Sequence, residues 1–171
     1  IVGLGQIGSL VARRANGFNM DVIFDGYGRS DKSTQYIQEN ILDAEYRDFD
    51  DLLKESDFVT LHCPLTDSTK HLVGSEEFSM MSDEAFLINA ARNELVDEEA
   101  LIEALKNDEI AGAATDTFED EEQLDSELLE LDNFIASPHA GASTKESVLR
   151  MAKMATEEVI RVLDGKEPLR P

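Results

Sequence analysis

Short apolar runs alternate with amphipathic stretches along most of this 171-residue chain. This alternation is typical of consecutive βαβ units, which build a mostly parallel sheet covered by helices. Strands are predicted at residues 1–4, 21–25, 44–47, 57–63, 85–89, 111–116 and 134–137, and helices at residues 6–16, 49–55, 75–81, 97–107 and 143–163. Ser75 and Asp97 are predicted to cap their helices, and Gly165 to follow the last one. The predicted fold class is α/β, a Rossmann-type doubly wound parallel sheet forming one domain.

The composition limits the classes of partner that the chain can bind. There are 37 acidic and 15 basic residues, for a formal net charge of −22. Nucleic acid and anionic membranes bind through clusters of Lys and Arg, so neither is expected as a partner. The acidic runs favour a solvated surface suited to a high-salt cytoplasm over a partner-protein site or a metal site, and no metal is predicted. The single cysteine, Cys63, and the lack of a membrane-length apolar run indicate a cytoplasmic protein.

A glycine turn at residues 3–8, with the sequence GLGQIG, joins the first predicted strand to the first helix. In such a turn Gly3 permits the tight bend, Gly5 lets the backbone approach a pyrophosphate, and Gly8 lets the helix pack closely on the strand. The start of the helix would offer unpaired N–H groups and a positive dipole end to the phosphates. The turn therefore predicts a dinucleotide-binding domain.

Asp25 closes the next predicted strand, where a carboxylate can accept hydrogen bonds from both hydroxyls of an adenine ribose. It would also repel a 2′-phosphate, since two like charges about 4 Å apart cost up to about 4 kcal/mol at moderate dielectric. The sequence therefore favours NAD over NADP. Arg29 could offset part of this repulsion, and the alternative is that Asp25 merely caps a strand.

His139 is the strongest candidate for a proton carrier, because imidazole titrates near neutral pH. It follows Pro138 at the end of a predicted strand, where the loops of an open α/β sheet form the ligand crevice. The small residues Ala140, Gly141 and Ala142 leave room beside it for a cofactor ring. By contrast, His62 and His71 are expected to be structural.

Two further candidates also stand at the carboxyl ends of strands. Arg92 follows strand 85–89, where a guanidinium can bind a carboxylate with two hydrogen bonds and polarise the adjacent carbonyl. Asp116 could hold a nicotinamide carboxamide, and Glu121 could pair with His139, with Glu119 as the alternative. Arginine, acid and histidine together suit reversible hydride transfer on a 2-hydroxy acid.

These motifs, in this order, resemble the cofactor-binding domain of the D-isomer-specific 2-hydroxyacid dehydrogenases along essentially the whole chain. This family includes phosphoglycerate dehydrogenase and the glyoxylate and hydroxypyruvate reductases. The matching segments are the glycine turn, Asp25, residues 61–66 (LHCPLT), 89–92 (NAAR), 96–101 (VDEEAL), 116–121 (DTFEDE) and 137–144 (SPHAGAST).

The resemblance implies a role for each matching residue. It makes Arg92 the substrate-binding arginine, Asp116 the carboxamide acid, Glu121 the partner of the histidine and His139 the acid/base. It also implies cofactor contacts from Gln6, Ile7, Cys63, Pro64, Ala90, Ala91 and Gly141, with Cys63 acting through its backbone.

Two positions depart from the family pattern. Asn93 replaces the usual glycine after the arginine, and Glu122 replaces the proline that commonly follows the glutamate. Asparagine tolerates a left-handed backbone, so the turn at Asn93 is expected to persist.

The first predicted strand looks clipped, as if residues 1–171 were a cofactor domain cut from a two-domain protein whose substrate domain is absent. Such a chain should bind NAD but show little turnover of the small 2-hydroxy or 2-oxo acid, and the full-length protein is expected to be a homodimer. The alternatives are a non-enzymatic, corepressor-like NAD(H) sensor and a family member acting on another anion, such as phosphite. The sequence does not name the substrate.

Overall fold

The computed structural model describes residues 1–26, 43–117 and 127–169. The chain falls into two units, Ile1–Pro138 and His139–Pro171. Of the strands and helices in the described ranges, the first unit contains every strand and all helices but one. The second contains the turn that follows Pro138 and one long helix.

All named strands of the first unit pair in parallel. They are β1 (Val22–Phe24), β2 (Ala44–Tyr46), β3 (Phe58–Leu61), β4 (Phe86–Asn89), β5 (Gly112–Thr115) and β6 (Phe134–Ala136). β1 pairs with β2, and β3, β4, β5 and β6 pair in that order.

Val2 lies between β1 and β3, with parallel bridges to Asp25 on one side and Leu61 on the other. Its N–H donates to the Thr60 carbonyl (2.9 Å), and its carbonyl accepts from the His62 N–H (2.7 Å). The strand order is therefore β2, β1, the Val2 segment, β3, β4, β5 and β6, which is the doubly wound Rossmann order. The predicted fold class is confirmed.

Each predicted helix is present, and each of its ends lies within two residues of the predicted position. The first unit contains α1 (Gln6–Gly17), α2 (Phe49–Glu55), α3 (Ser75–Met80) and α4 (Glu98–Lys106), with short 3-10 helices at Asn93–Leu95 and Glu127–Glu130. The second unit contains α5 (Lys145–Leu163). Within the described ranges, no helix combines the length and apolar character needed to cross a bilayer.

Two of the three predicted helix signals are confirmed. The Asp97 carboxylate accepts the Ala100 N–H (3.1 Å) at the start of α4, and Gly165 has a φ of +75° just after α5. The prediction that Ser75 caps α3 is wrong, because the N-cap is Gly74. The Glu77 carboxylate reaches back to accept the Gly74 N–H (2.9 Å), so a side chain inside the first turn satisfies this end of the helix.

The main core lies between the strands β3 to β5 and the helices α2 to α4. Its largest fully buried side chains include Leu52, Leu53, Val59, Leu61, Phe78, Leu87 and Ile110. Burying each such side chain contributes roughly 1.5–3 kcal/mol before the cost in conformational entropy. A smaller cluster packs α1 against β1 and the start of the chain. The cores fix the strands so that their carboxyl ends meet at one edge of the sheet.

Candidate active site

Three segments, the turn at Gly3, the start of α1 at Gly8 and the chain at Cys63, lie closer together than side chains at the two glycines would allow. Gly3 has a φ of +89°, and a Cβ added to it would lie 2.6 Å from the backbone nitrogen of Cys63. A Cβ on Gly8 would overlap the carbonyl oxygen of Gly3. The predicted tight bend at Gly3 and the close helix packing at Gly8 are therefore confirmed.

Gly5 differs from the other two glycines because it faces open space. A Cβ built on Gly5 meets no atom within 4 Å. Gly5 is the N-cap of α1, no side chain caps the helix, and its first turn holds no acidic residue. Gln6 and Ile7 are exposed, Ile7 at 67%. The N–H groups and dipole of α1 thus meet an open surface, which fits a dinucleotide pyrophosphate.

Asp25 lies beside the glycine turn. Its carbonyl accepts the Gly3 N–H (3.0 Å), and its own N–H donates to the Ile1 carbonyl (3.0 Å). The residue is half-buried at the carboxyl end of β1, the position expected of an acid that binds a ribose. Arg29 lies outside the described residues.

The backbone of Cys63 packs directly against Gly3 in the glycine turn. Burial raises the pKa of the Cys63 thiol, so the thiol stays protonated near neutral pH and is a poor nucleophile. Pro64 follows on the surface.

The first unit contains two histidines, His62 and His71, and both make local contacts. The His62 Nε2 lies 3.0 Å from the Thr60 Oγ1, and burial lowers the pKa of His62, which keeps the ring neutral. The His71 Nδ1 lies 3.6 Å from the Asp97 carboxylate on a half-exposed surface. These contacts agree with structural roles for both.

Asn89 fixes the loop that carries Arg92. Asn89 is only 3% exposed, its Nδ2 donates to the Arg92 carbonyl (2.7 Å), and its Oδ1 accepts the Ala91 N–H (3.1 Å). The loop from Ala90 to Arg92 is therefore held from inside the protein, while the Arg92 side chain is exposed. Its guanidinium donates to the Ala91 carbonyl (2.6 Å).

A turn persists at Asn93, but its backbone is not left-handed. Asn93 is not among the residues with positive φ in the described part of the chain, and it begins a 3-10 helix instead. Its carbonyl accepts the Val96 N–H (2.9 Å), which requires right-handed geometry. Glycine is therefore not needed at this position.

Asn89 also connects this loop to Asp116. The Asn89 carbonyl accepts the Asp116 N–H (3.0 Å) and the Thr115 Oγ1 hydroxyl (3.1 Å). On the other side of Asp116, the Ser137 hydroxyl donates to the Asp116 Oδ1. The structure thus brings the Arg92 loop and Asp116 together through one buried asparagine at the carboxyl ends of β4 and β5.

His139 belongs to the second unit and has a φ of +48°. Its carbonyl accepts the Ser143 hydroxyl (3.4 Å), and the Ala140 carbonyl accepts the Ser143 N–H (3.0 Å), so residues 139–143 form a turn. Thr144 then caps α5 by accepting the Ser147 N–H (3.2 Å). Gly141 is exposed within this turn.

Glu121 and its alternative Glu119, the acidic candidates for pairing with His139, lie outside the described residues, as does Glu122. Within the described ranges, no three His, Cys, Asp or Glu side chains come together in a group that could hold a metal ion.

Sequence reasoning assigned no role to two residues of this site, Asn89 and Ser137. For Asn89 there was a signal, because a polar residue that ends a buried apolar strand must find hydrogen-bond partners inside the protein. For Ser137 there was none, since its contact depends on the pairing of β5 with β6.

Comparison with known proteins identifies the family. Residues 1–141 match the model of the D-isomer specific 2-hydroxyacid dehydrogenase, NAD binding domain. Over 168 residues the chain is 44% identical to a glyoxylate reductase of Thermococcus litoralis, covering 98% of this chain and 49% of that protein.

Solved structures agree. A glyoxylate reductase from Paecilomyes thermophila matches with a TM-score of 0.88 and 32% identity over 98% of this chain and 49% of that one. The NAD-complexed D-isomer specific 2-hydroxyacid dehydrogenase from Lactobacillus delbrueckii ssp. bulgaricus matches with a TM-score of 0.84 and 34% identity, over 98% and 53% of the two chains.

The chain therefore belongs to the D-isomer specific 2-hydroxyacid dehydrogenase family and carries its NAD-binding domain. It spans about half the length of the relatives that it matches.

Proposed function

We propose that this chain is the cofactor-binding half of an NAD-dependent dehydrogenase that interconverts a D-2-hydroxy acid and the corresponding 2-oxo acid. The observation that carries the proposal is that buried Asn89 holds both the Arg92 loop and the backbone of Asp116 at one edge of the sheet. A residue suited to bind a substrate carboxylate and one suited to bind a nicotinamide are thus fixed together.

The cofactor would be held along the carboxyl ends of the strands. The α1 N-terminus would bind the pyrophosphate, Asp25 the adenine ribose and Asp116 the carboxamide, with NAD favoured over NADP because the Asp25 carboxylate repels a 2′-phosphate. The proposed contact residues are Gly3, Gly5, Gln6, Ile7, Gly8, Asp25, Cys63, Pro64, Ala90, Ala91, Arg92, Asp116, His139 and Gly141.

The catalytic residues proposed are Arg92, Glu121 and His139. NADH supplies the hydride for reduction of the 2-oxo acid. Arg92 binds the substrate carboxylate and polarises the adjacent carbonyl, while His139, paired with Glu121, donates a proton to the forming alkoxide. In the reverse direction neutral His139 accepts the hydroxyl proton. Such acid–base assistance is worth roughly a hundred- to ten-thousandfold in rate.

We also infer the context in which the domain works. The coverage of about half of each relative supports a longer, two-domain protein whose other domain completes the substrate cleft. Pairing of two such subunits as a homodimer and a cytoplasmic location are part of the same proposal. The single cysteine is buried and reduced, which suits a reducing compartment.

The test is to measure oxidation of NADH and NADPH by the longer protein with glyoxylate, hydroxypyruvate, phosphohydroxypyruvate and pyruvate. We expect turnover with NADH on at least one acid, and its loss by roughly a hundredfold or more in His139→Ala without loss of NADH binding. His71→Ala, which changes a histidine at the His71–Asp97 contact, should keep its activity. Tight NADH binding without turnover of any of these acids would contradict the proposed dehydrogenase activity. It would favour an NAD(H) sensor or an enzyme that acts on another anion.

A further inference from the structure

We infer that Ser137 is a positioning residue that orients the Asp116 carboxylate to accept a hydrogen bond from the nicotinamide carboxamide. The inference rests on the proposed function, since it specifies how that site recognises the nicotinamide end of its cofactor. Ser137 would act through Asp116 and not touch the cofactor itself.

The backbone around Asp116 is fixed before its side chain is considered. The Asp116 N–H donates to the Asn89 carbonyl (3.0 Å). The Thr115 Oγ1 lies within hydrogen-bond distance of the Asn89 carbonyl (3.1 Å) and of the Thr117 carbonyl (2.9 Å), and its one hydrogen can be donated to either. The Thr117 N–H donates back to the Thr115 Oγ1 (3.2 Å). These bonds fix the main chain on both sides of Asp116, and the orientation of its side chain sets where the carboxylate oxygens point.

Ser137 restricts that rotation from the neighbouring strand. Its hydroxyl contacts the Asp116 Oδ1, and because an ionised carboxylate only accepts, the hydroxyl hydrogen must be the one that is donated. The Ser137 N–H donates to the Thr115 carbonyl (2.9 Å), which continues the parallel pairing of Thr115 with Ala136. A donor on a fixed strand end thus holds one oxygen of the carboxylate.

A carboxamide is the ligand group that this arrangement suits. Its NH2 donates while its carbonyl only accepts, so a carboxylate can recognise the NH2 end. A carboxylate has about four acceptor sites, so a bond from Ser137 does not use up its capacity. Hydrogen bonds to charged groups are short and strong, which makes the orientation that Ser137 selects matter for the second bond.

The experiment compares two reduced cofactors by titration calorimetry. One is NADH, and the other is reduced 3-acetylpyridine adenine dinucleotide, in which an acetyl group replaces the carboxamide and has no N–H to donate. Ser137→Ala should weaken NADH binding by about tenfold, as expected for loss of a bond to a charged group, and weaken binding of the acetyl analogue by less than about twofold.

Two matched variants separate the hydroxyl from the shape of the side chain. Ser137→Thr and Ser137→Val differ only in one hydroxyl for one methyl group, so Ser137→Thr should restore NADH affinity and Ser137→Val should not. In an Asp116→Ala background, Ser137→Ala should have no further effect on NADH, because the residue through which it acts is gone.

The outcomes distinguish the positioning role of Ser137 from NAD binding itself. Equal weakening of both cofactors, or no weakening of either, would overturn the positioning role while leaving NAD binding intact. Equal NADH affinity of the Ser137→Thr and Ser137→Val variants would also overturn it. Failure of the wild-type chain to bind NADH would instead contradict the proposed function, and the inference would fall with it.

Discussion

The two ends of the proposed cofactor site are fixed by opposite means. The glycine turn at residues 3–8 has its shape because side chains are missing, with Gly3 against Cys63 and Gly8 against Gly3. The other end, which we call the polar edge, consists of Asn89, Thr115, Asp116 and Ser137. It has its shape because polar side chains are present and hydrogen-bonded.

This difference determines how each region should respond to substitution. Backbone in direct contact cannot absorb an added atom without moving a strand or a helix, since protein interiors are close-packed. In a network of hydrogen bonds, each substitution removes one or two bonds, so the free energy of unfolding falls in steps. Changes in the glycine turn should therefore act on the fold, and changes in the polar edge should act on fold and affinity in separable amounts.

The largest effect is expected for Gly8→Ala. Its Cβ would overlap the Gly3 carbonyl, so we expect a loss of about 3 kcal/mol or more in the free energy of unfolding, together with loss of NADH binding. The matched control is Gly5→Ala, which meets nothing within 4 Å. It should change stability by less than about 1 kcal/mol and still weaken NADH binding, because the methyl group would occupy the space proposed for the pyrophosphate. Urea unfolding measures the stability and calorimetry the NADH affinity. Equal stability of the two variants would show that the close contact between Gly8 and Gly3 does not constrain the fold.

In the polar edge, Asn89→Ala should cost about 2–3 kcal/mol in the free energy of unfolding. It removes the Oδ1 that accepts the Ala91 N–H and leaves the Arg92 carbonyl with only the longer bond from the Leu95 N–H (3.2 Å). Asn133→Ala is the control, since the half-buried Asn133 amide donates to the Leu105 carbonyl (3.0 Å) away from the site, and its loss should cost about 1 kcal/mol. If the two variants unfold at the same urea concentration, Asn89 is not the anchor that we describe.

A change outside both regions should reduce stability and leave affinity alone. Asp97→Ala removes the cap of α4 and should cost about 1 kcal/mol, with NADH binding unchanged. Asp97→Asn should retain most of the stability, because asparagine caps about as well as aspartate. A weaker affinity for NADH in Asp97→Ala would show that stability and binding are not separable in this domain.

The only expected gain, no larger in size than the loss at Asp97, is at Thr117. Its Oγ1 is buried and has no hydrogen-bond partner among the described residues. Thr117→Val keeps the shape and removes the unsatisfied hydroxyl, so stability should rise by about 1 kcal/mol. Thr115→Val is the contrasting control, since the Thr115 hydroxyl donates to a carbonyl and accepts the Thr117 N–H, and its removal should destabilise. A loss of stability in Thr117→Val would indicate that its hydroxyl is satisfied.

Much of this fold could be predicted because its signals are local. Alternation of apolar runs located the strands, and Gly3, Gly8 and Asp97 have roles that their immediate neighbours determine. The prediction that failed at Ser75 involved two competing local signals, a serine and the Glu77 carboxylate.

The contacts that could not be predicted connect distant parts of the chain. The Ser137 hydroxyl reaches Asp116 across 21 residues of sequence, and only the register of β5 against β6 sets that approach. Asn89 reaches Asp116 by the same kind of pairing, between β4 and β5. The position of Asn93 in a 3-10 helix likewise depends on its surroundings and not on its own preference for left-handed backbone.

The proposed NAD site is tested by calorimetric titration of the 171-residue chain with NADH and, separately, with NADPH. We expect saturable binding of NADH to one site per chain, and weaker binding of NADPH because of the Asp25 carboxylate. Tighter binding of NADPH would contradict the role given to Asp25. If neither cofactor binds, the proposal that the glycine turn and the polar edge form one NAD site is wrong.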